Sequence, residues 1–385
     1  MKKLPSLTRD EISRYSRQIL LPEISMRGQQ KMKAASVLLV GVGGLGSPIA
    51  LYLAAAGVGR IGLVDADTVD ISNLQRQVIH STQSQGAWKV ESARKRMLEL
   101  NPQIRVETYA TRIDHTNAEE ISRGYDILVD GTDNIPSRYL LNDLAVLTHR
   151  PFIYGSIYRF EGQVSVFGAA DGPCYRCMFP EPPPPGMVPS CSTAGVLGAL
   201  PGLIGSIQAA ETIKLITGCG RPLSGKLLLV DAIDMTFDRV NIRKRPGCKI
   251  CGEAPEITSL IDYEQWCGDG PGQDPGSAGD GLDIEPLELK QLIEAHTPLY
   301  LLDVREEFEK FLTDLDGAVN IPLLEISRRL AEIPRDRLVI AYCRNGIRSA
   351  EVTRELSRKG FSMIKNLHGG INAWARQVDP EMQLY

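Results

Sequence analysis

Two groups of residues equipped for chemistry stand far apart in this 385-residue chain. Near its end, "AYCRNGIRS" (341–349) places Cys343 between an apolar run and a polar turn that leads into a helix-like stretch. Consecutive backbone N–H groups, a helix N-terminus and either Arg344 or Arg348 would stabilise a thiolate or persulfide anion on that cysteine. Arg344, Asn345, Gly346, Ile347 and Arg348 form the loop, and Gly346 permits a turn that a β-branched residue would strain. A phosphatase wraps a phosphoryl group in a C-x5-R loop. Here only four residues separate Cys343 from Arg348, one fewer than that pattern requires.

The second group lies near the start. Gly41, Gly43 and Gly46 match GxGxxG between a strand-like run and a helix-like one, a turn that lets backbone amides and a helix N-terminus approach a phosphate. Asp65, about twenty positions on, ends the next apolar run and is placed to hold ribose hydroxyls. Taken alone, these features suit NAD or FAD, or a glycine turn that merely packs. The residues that follow favour ATP. "DADTVDISNLQRQ" contributes Asp67, Asn73 and Arg76, and Lys89 follows in "QGAWKVESA". A site that expels pyrophosphate must stabilise more negative charge than a dinucleotide brings. "LVDGTDN" puts Asp130, Asp133 and Asn134 at the end of another strand-like run, where open α/β sheets bind ligands. A carboxylate there suits Mg2+ beside phosphate oxygens.

Four of the eight cysteines form two CxxC pairs, Cys174/Cys177 and Cys248/Cys251. A four-cysteine set of soft thiolates selects Zn2+, and four protein ligands leave no open position, so the expected role is structural. The rivals are a redox CxxC and an iron–sulfur cluster. Cys191 follows the proline-rich "EPPPPGMVPS" and precedes an apolar helix-like stretch. A thiol at a helix N-terminus is a nucleophile; an incidental loop thiol is the equal alternative.

The elements that must position these groups alternate. "SVLLVG", "RIGLVDAD", "IRVETYA", "YDILVDGT" and "PFIYGSI" are strand-like runs separated by helical stretches, which predicts an α/β fold with a parallel sheet; "EGQVSVFG" and "GKLLLVDAI" read as an antiparallel extension. Residues 8–35 read as one or two helices. The Gly/Pro/Asp/Ser-rich "CGDGPGQDPGSAGDG" at 267–281 marks a boundary, and a second α/β unit follows. The expected organisation is therefore residues 1–255, a flexible linker over 256–282, and residues 283–385. The net charge of −4 carries no footprint for nucleic acid. The charge-free stretch Ala34–Gly59 breaks into strand, glycine turn and helix, so no membrane span is expected, and "MKKLPSLTRDEISRY" reads as no secretory signal. A reducing, cytoplasmic location follows as an expectation.

"GVGGLG", "SNLQRQ", "DGTDN", "CYRC", "GVLGALPGLIGSIQAAETIK" and "PGCKICG" resemble the adenylating enzymes that activate ubiquitin-like sulfur carriers, MoeB-like nearest and ThiF-like and ubiquitin-activating enzymes further out. The resemblance covers residues 10 to 252 and implies a Rossmann-like domain with a mixed sheet. It implies that Gly44, Asp65, Ser72, Asn73, Leu74, Gln75, Arg76, Lys89, Asp133 and Asn134 line an ATP site with Asp133 on Mg2+. It also implies that Arg17, on an N-terminal helix, reaches a neighbouring subunit's site in a homodimer. Spacing alone gives Arg17 only a solvated helix face. "LLDVREEFE", "GAVNIP" and "HGGINAW" resemble rhodanese signatures over 283–380, with "TDLDGA" lacking a histidine common in that family. Asp303 and Arg305 are expected to brace the loop, and His368 to be structural. The pairing resembles fused adenylyltransferase/sulfurtransferases. It implies adenylylation of a small carrier protein ending in Gly-Gly, then sulfur transfer from a Cys343 persulfide loaded by a cysteine desulfurase or thiosulfate. The competing classes are an NAD-binding oxidoreductase with an accessory rhodanese, a scaffold for a ubiquitin-like partner, and an activating enzyme for conjugation.

Overall fold

The structure is a computed structural model that describes residues 4–169, 172–183, 195–267, 276–279 and 281–384. The chain forms two compact units, Met1–Asp269 and Gly270–Tyr385.

In the first unit, helices α1 (Arg9–Ile19) and α2 (Ser25–Ala34) precede strand β1 (Ser36–Val40). Thr8 and Glu11 cap α1 reciprocally, each side chain taking the other's backbone N–H. Then follow α3 (Gly46–Ala56), β2 (Arg60–Val64), α4 (Lys89–Leu100), β3 (Arg105–Tyr109), α5 (Ala118–Ser122), β4 (Ile127–Asp130), α6 (Ile135–Leu147) and β5 (Phe152–Tyr158). The remaining elements are β6 (Glu161–Phe167), α7 (Tyr175–Met178), α8 (Ala199–Thr217), β7 (Lys226–Asp231), β8 (Thr236–Asn241) and α9 (Tyr263–Cys267).

The eight strands form one sheet in the order β3-β2-β1-β4-β5-β6-β7-β8. β3 to β5 are parallel and β5 to β8 antiparallel. β1 is buried along its whole length, as an unbroken "SVLLV" requires of a strand covered on both faces. Its side chains alternate between two cores. Val37 and Leu39 pack with Ile49, Leu53, Ile61 and Ile204; Leu38 and Val40 pack with Leu128, Leu141, Leu144 and Phe152. The strand order reverses between β1 and β4, which opens a crevice at their C-terminal ends.

The mixed sheet agrees with the sequence reading. β8, exposed along its length, carries too little apolar pattern to have been anticipated. The expected linker over 256–282 needs correction. Its first part contains α9, whose Tyr263 and Cys267 are buried in the first unit's core, with Trp266 edge-on to the Tyr139 ring. Two aromatics and a cysteine supply enough apolar surface to dock a five-residue helix. Its last part belongs to the second unit, where the Ala278 amide donates to Asp283 and Asn366 Nδ2 donates to the Gly276 carbonyl.

The second unit contains β9 (Asp283–Ile284), α10 (Pro286–Glu294), β10 (Leu299–Asp303), β11 (Val319–Asn320), β12 (Leu338–Tyr342), α11 (Ile347–Arg358), β13 (Ile364–Leu367) and α12 (Gly370–Gln377). All five strands are parallel, ordered β11-β10-β12-β13-β9. Central β12 sends Val339 and Ala341 to one core with Val352 and Leu356 of α11. It sends Ile340 and Tyr342 to the other, with Ile371 and Trp374 of α12.

Candidate nucleotide cleft, cysteine loop and metal centre

At the crevice between β1 and β4 lies a cleft of about 470 Å3. The glycine turn after β1 forms its floor, and its four glycines divide the labour. Gly41 has φ +88, and a Cβ there would sit 2.6 Å from the backbone of Gly131. A Cβ on Gly46 would meet the Gly41 carbonyl, which presses α3 against the turn. These two let the backbone close. Gly43 and Gly44 line the cleft, and their amides have no protein acceptor among the described residues.

Asp65 ends β2 and accepts from the amides of Val42 (2.8 Å) and Asp67 (2.9 Å). Burial raises its carboxyl above the usual range, and the Lys89 ammonium opposes that shift. Lys89, buried at the start of α4, is paired with Asp67 at 2.7 Å. Asn73 and Arg76 approach from the segment between β2 and α4. After β4, Thr132, Asp133 and Asn134 close the opposite side. Asn134 caps α6, its Oδ1 taking the Ser137 amide at 2.9 Å. Beneath them Asp130 is wholly enclosed, held by Thr132 and facing Arg138 Nε at 3.5 Å. One cleft thus gathers free backbone amides, cations and carboxylates, the donor set for a polyphosphate and its metal.

In the second unit, Cys343 follows β12 and is 1% exposed. Ser349 Oγ lies 3.4 Å from its sulfur. Gly346 takes φ +84 at the turn into α11. The Cys343 and Arg344 carbonyls accept from the amides of Ile371 (2.9 Å) and Asn372 (3.1 Å) at the start of α12. A Cβ on Gly370 would collide with the Cys343 carbonyl, so "HGG" is a packing requirement of the loop. Asn345 Oδ1 accepts from Asn372 Nδ2 at 3.0 Å. Arg348 makes two 2.7 Å bonds to the Glu309 carboxylate. Asp303 and Arg305 form a fully buried pair at 2.8 Å, and Val304 donates to the Tyr342 carbonyl beside the loop.

The four CxxC sulfurs lie within 4.8 Å of one another. The separations are 3.9 Å for Cys174–Cys177, 3.6 Å for Cys174–Cys248 and 3.4 Å for Cys177–Cys251. Zn–S bonds of about 2.3 Å place tetrahedral ligands roughly 3.8 Å apart, so this set fits Zn2+. The Arg245 amide adds a donor to Cys177 Sγ at 3.4 Å. Arg176, between the first two ligands, is buried against Asp143 (2.7 Å) and lies over the Trp266 and Tyr139 rings. Tyr263 completes that network through Asp143 at 2.7 Å.

Residues 15–250 match the ThiF family and residues 285–377 the rhodanese-like domain. The probable adenylyltransferase/sulfurtransferase MoeZ of Mycobacterium tuberculosis is 47% identical over 386 residues, covering 99% of this chain and 97% of that protein. The adenylyltransferase and sulfurtransferase MOCS3 of Aedes aegypti is 44% identical, covering 98% and 90%. The chain belongs to the fused adenylyltransferase/sulfurtransferases. Its first unit alone is also similar to the sulfur carrier protein adenylyltransferase of Thermus thermophilus, 51% identical over 68% of this chain and 98% of that protein. Among solved structures, Escherichia coli MccB with MccA-N7isoASN superposes with a TM-score of 0.57 at 25% identity, covering 62% of this chain and 75% of that chain.

In this adenylyltransferase/sulfurtransferase the cleft brings together Gly41, Gly43, Gly44, Asp65, Asp67, Asn73, Arg76, Lys89, Asp133 and Asn134. Gly46, Ser72, Leu74 and Gln75 do not line it. The Ser72 amide and hydroxyl are both spent on Asp70 Oδ1. Arg17 is exposed on α1 and is not a lining residue. Cys191 lies outside the described residues. Sequence reasoning missed Gln77 and Arg112. Gln77 lines the cleft and donates to Asn73 Oδ1 at 3.0 Å. Arg112 stands at the rim, paired with Glu264 of α9. Only the position of Arg112 shortly after a strand-like run pointed to it.

Proposed function

We propose that the chain uses ATP to activate the C-terminal carboxylate of a small ubiquitin-like sulfur carrier ending in Gly-Gly, then replaces the activated oxygen with sulfur delivered by Cys343. What carries this reading is the presence, in one chain, of a cleft furnished for a polyphosphate and an enclosed cysteine loop. The names of the relatives support it, and the Thermus relative is named for a sulfur carrier protein.

A carrier carboxylate oxygen attacks the α-phosphorus, the bond to the bridging oxygen breaks, and pyrophosphate departs with the electron pair. Lys89 and Arg76 face the departing charge, joined by Arg17 contributed across a homodimer. The Gly43 and Gly44 amides hold phosphate oxygens, and Asp65 holds the ribose. Asp133 offers a carboxylate to Mg2+, which when bound offsets phosphate charge. Cys343 receives a sulfane sulfur from a cysteine desulfurase or thiosulfate. The outer sulfur of its persulfide attacks the activated carbonyl and AMP leaves, giving an acyl disulfide. A second thiol then attacks the Cys343 sulfur, forming a cysteine disulfide and releasing the carrier thiocarboxylate. Cys191 is the candidate for that thiol, and an external thiol reduces the disulfide.

Loop amides, with Arg344 or Arg348 as the neighbouring cation, serve the persulfide anion; the Glu309 carboxylate orients Arg348. A protein substrate accords with β8, an edge strand that exposes Phe237 and Val240, with Met235 exposed just before it. A reducing cytoplasm and a place in molybdenum cofactor synthesis accord with the thiol chemistry and the relatives' family.

The test is intact-mass analysis of candidate carriers incubated with the chain, ATP, Mg2+ and thiosulfate. The expected gain is about 16 Da, one oxygen exchanged for sulfur. Cys343→Ser is expected to abolish the gain while leaving carrier-dependent ATP–pyrophosphate exchange within about twofold. A mass gain that survives the substitution removes Cys343 from the reaction.

A further inference from the structure

His80 is 7% exposed, sits outside the cleft lining and takes no part in the chemistry above. Its Nε2 lies 3.0 Å from the Val42 carbonyl and its Nδ1 3.0 Å from Ser92 Oγ. A carbonyl only accepts, so Nε2 carries the proton and Nδ1 accepts from the Ser92 hydroxyl. Both ring nitrogens are used by a neutral imidazole, and burial holds the ring's pKa below its ordinary value.

The two ends of this bridge are the two halves of the phosphate site. Val42 is the second residue of the glycine turn. Its amide is already held by Asp65 at 2.8 Å, so with His80 on its carbonyl both polar groups of the residue are fixed. The next two amides, Gly43 and Gly44, are the ones that face the cleft. Ser92 lies on α4 just past Lys89, the buried cation of the same cleft. Glycine dihedrals are soft, and a turn of this composition left to itself would sample many orientations. One imidazole therefore joins the residue that aims the turn to the helix that carries the cation.

We propose that His80 is a positioning residue of the nucleotide site: it fixes the distance between the Gly43–Gly44 amides and the Lys89 ammonium, so that both meet the polyphosphate of a nucleoside triphosphate together. This role rests on the ATP reading of the cleft. It concerns the phosphates and not the nucleoside, which Asp65 holds from β2. Misplacement of such groups by a fraction of an ångström costs affinity and rate steeply.

The test uses the full chain with its metal, and compares calorimetric binding of Mg–ATP and of adenosine with ATP–pyrophosphate exchange. His80→Ala is expected to weaken Mg–ATP binding and raise KM for ATP about tenfold, and to change adenosine binding less than about twofold. His80→Gln restores most of the loss, because its amide can donate to Val42 and accept from Ser92. Adenosine binding that persists in both variants controls for folding of the first unit, and thiosulfate loading of Cys343 for folding of the second. A wild-type chain that binds no Mg–ATP overturns the nucleotide reading and this role with it. Wild-type binding with His80→Ala equally tight overturns the role alone. So does an equal loss of ATP and adenosine, or a His80→Gln variant no better than His80→Ala, since each would make the histidine merely structural.

Discussion

Asp130 has no exposed surface, accepts from the Thr132 amide (2.8 Å) and hydroxyl (2.7 Å), and faces Arg138 at 3.5 Å. Burial pushes its carboxyl up to about 6, with Arg138 opposing the shift. Folding therefore favours the protonated form. The contribution of this group to stability is complete below the ordinary carboxyl pKa of 3.8 and is lost as pH rises through about 6. Between about pH 4 and pH 6 the wild-type melting temperature is expected to fall more steeply with rising pH than that of Asp130→Asn, which has no proton to lose. Superimposable profiles from calorimetry would remove Asp130 as the titrating group. The sequence showed "DGTDN" as a cluster of carboxylates but not which one was enclosed. Asp133 is exposed to the cleft while Asp130, three residues earlier at the end of a buried strand, is not. The Asp130 carboxylate is enclosed by side chains that the fold brings to it, among them Arg138 of α6.

At the scale of elements, the glycine turn makes a sharper distinction than its motif. GxGxxG identified a phosphate-type turn, yet the geometry assigns Gly46 to packing and Gly44, outside the motif, to the cleft. A Cβ at Gly46 has nowhere to go, because the Gly41 carbonyl fills the space between α3 and the turn. Gly46→Ala is therefore expected to destabilise the first unit by about 3 kcal/mol. A Cβ at Gly43 would make an ordinary 3.4 Å contact with Gln77 Nε2. Gly43→Ala should keep the wild-type melting temperature within about 2 °C yet weaken Mg–ATP binding about tenfold or more, since the methyl intrudes where a phosphate must approach. Equal losses of stability in the two variants would refute this division. The alternation of strands and helices was legible because β1, β2 and β4 carry apolar runs, "VLLV", "IGLV" and "ILV". β8 and α9 were not. The former is exposed throughout, and the latter is stabilised by partners from elsewhere in the chain, Asp143 and Tyr139.

For the molecule as a whole, the two units possess separate cores, and the four-cysteine centre belongs to the first alone. Its ligands come from two places, the α7 turn after β6 and the segment after β8, 71 residues apart in sequence between Cys177 and Cys248. A metal there closes a long loop, and next to it Arg176 anchors Asp143, Tyr263 and Trp266, the network that docks α9. Metal binding free energy is then folding free energy for the first unit and irrelevant to the second. Calorimetry of the holo chain is expected to resolve two transitions. Stripping zinc with a chelator should lower the first unit's transition by roughly 10 °C or more and leave the other in place. Thiosulfate-to-cyanide sulfur transfer by Cys343 should persist in the stripped chain while ATP–pyrophosphate exchange is lost. If both transitions moved together, the units would share a cooperative core. If neither moved, the four cysteines would not be holding a structural metal. Only a shift confined to the first unit fits a chain whose two chemistries stand on independent scaffolds.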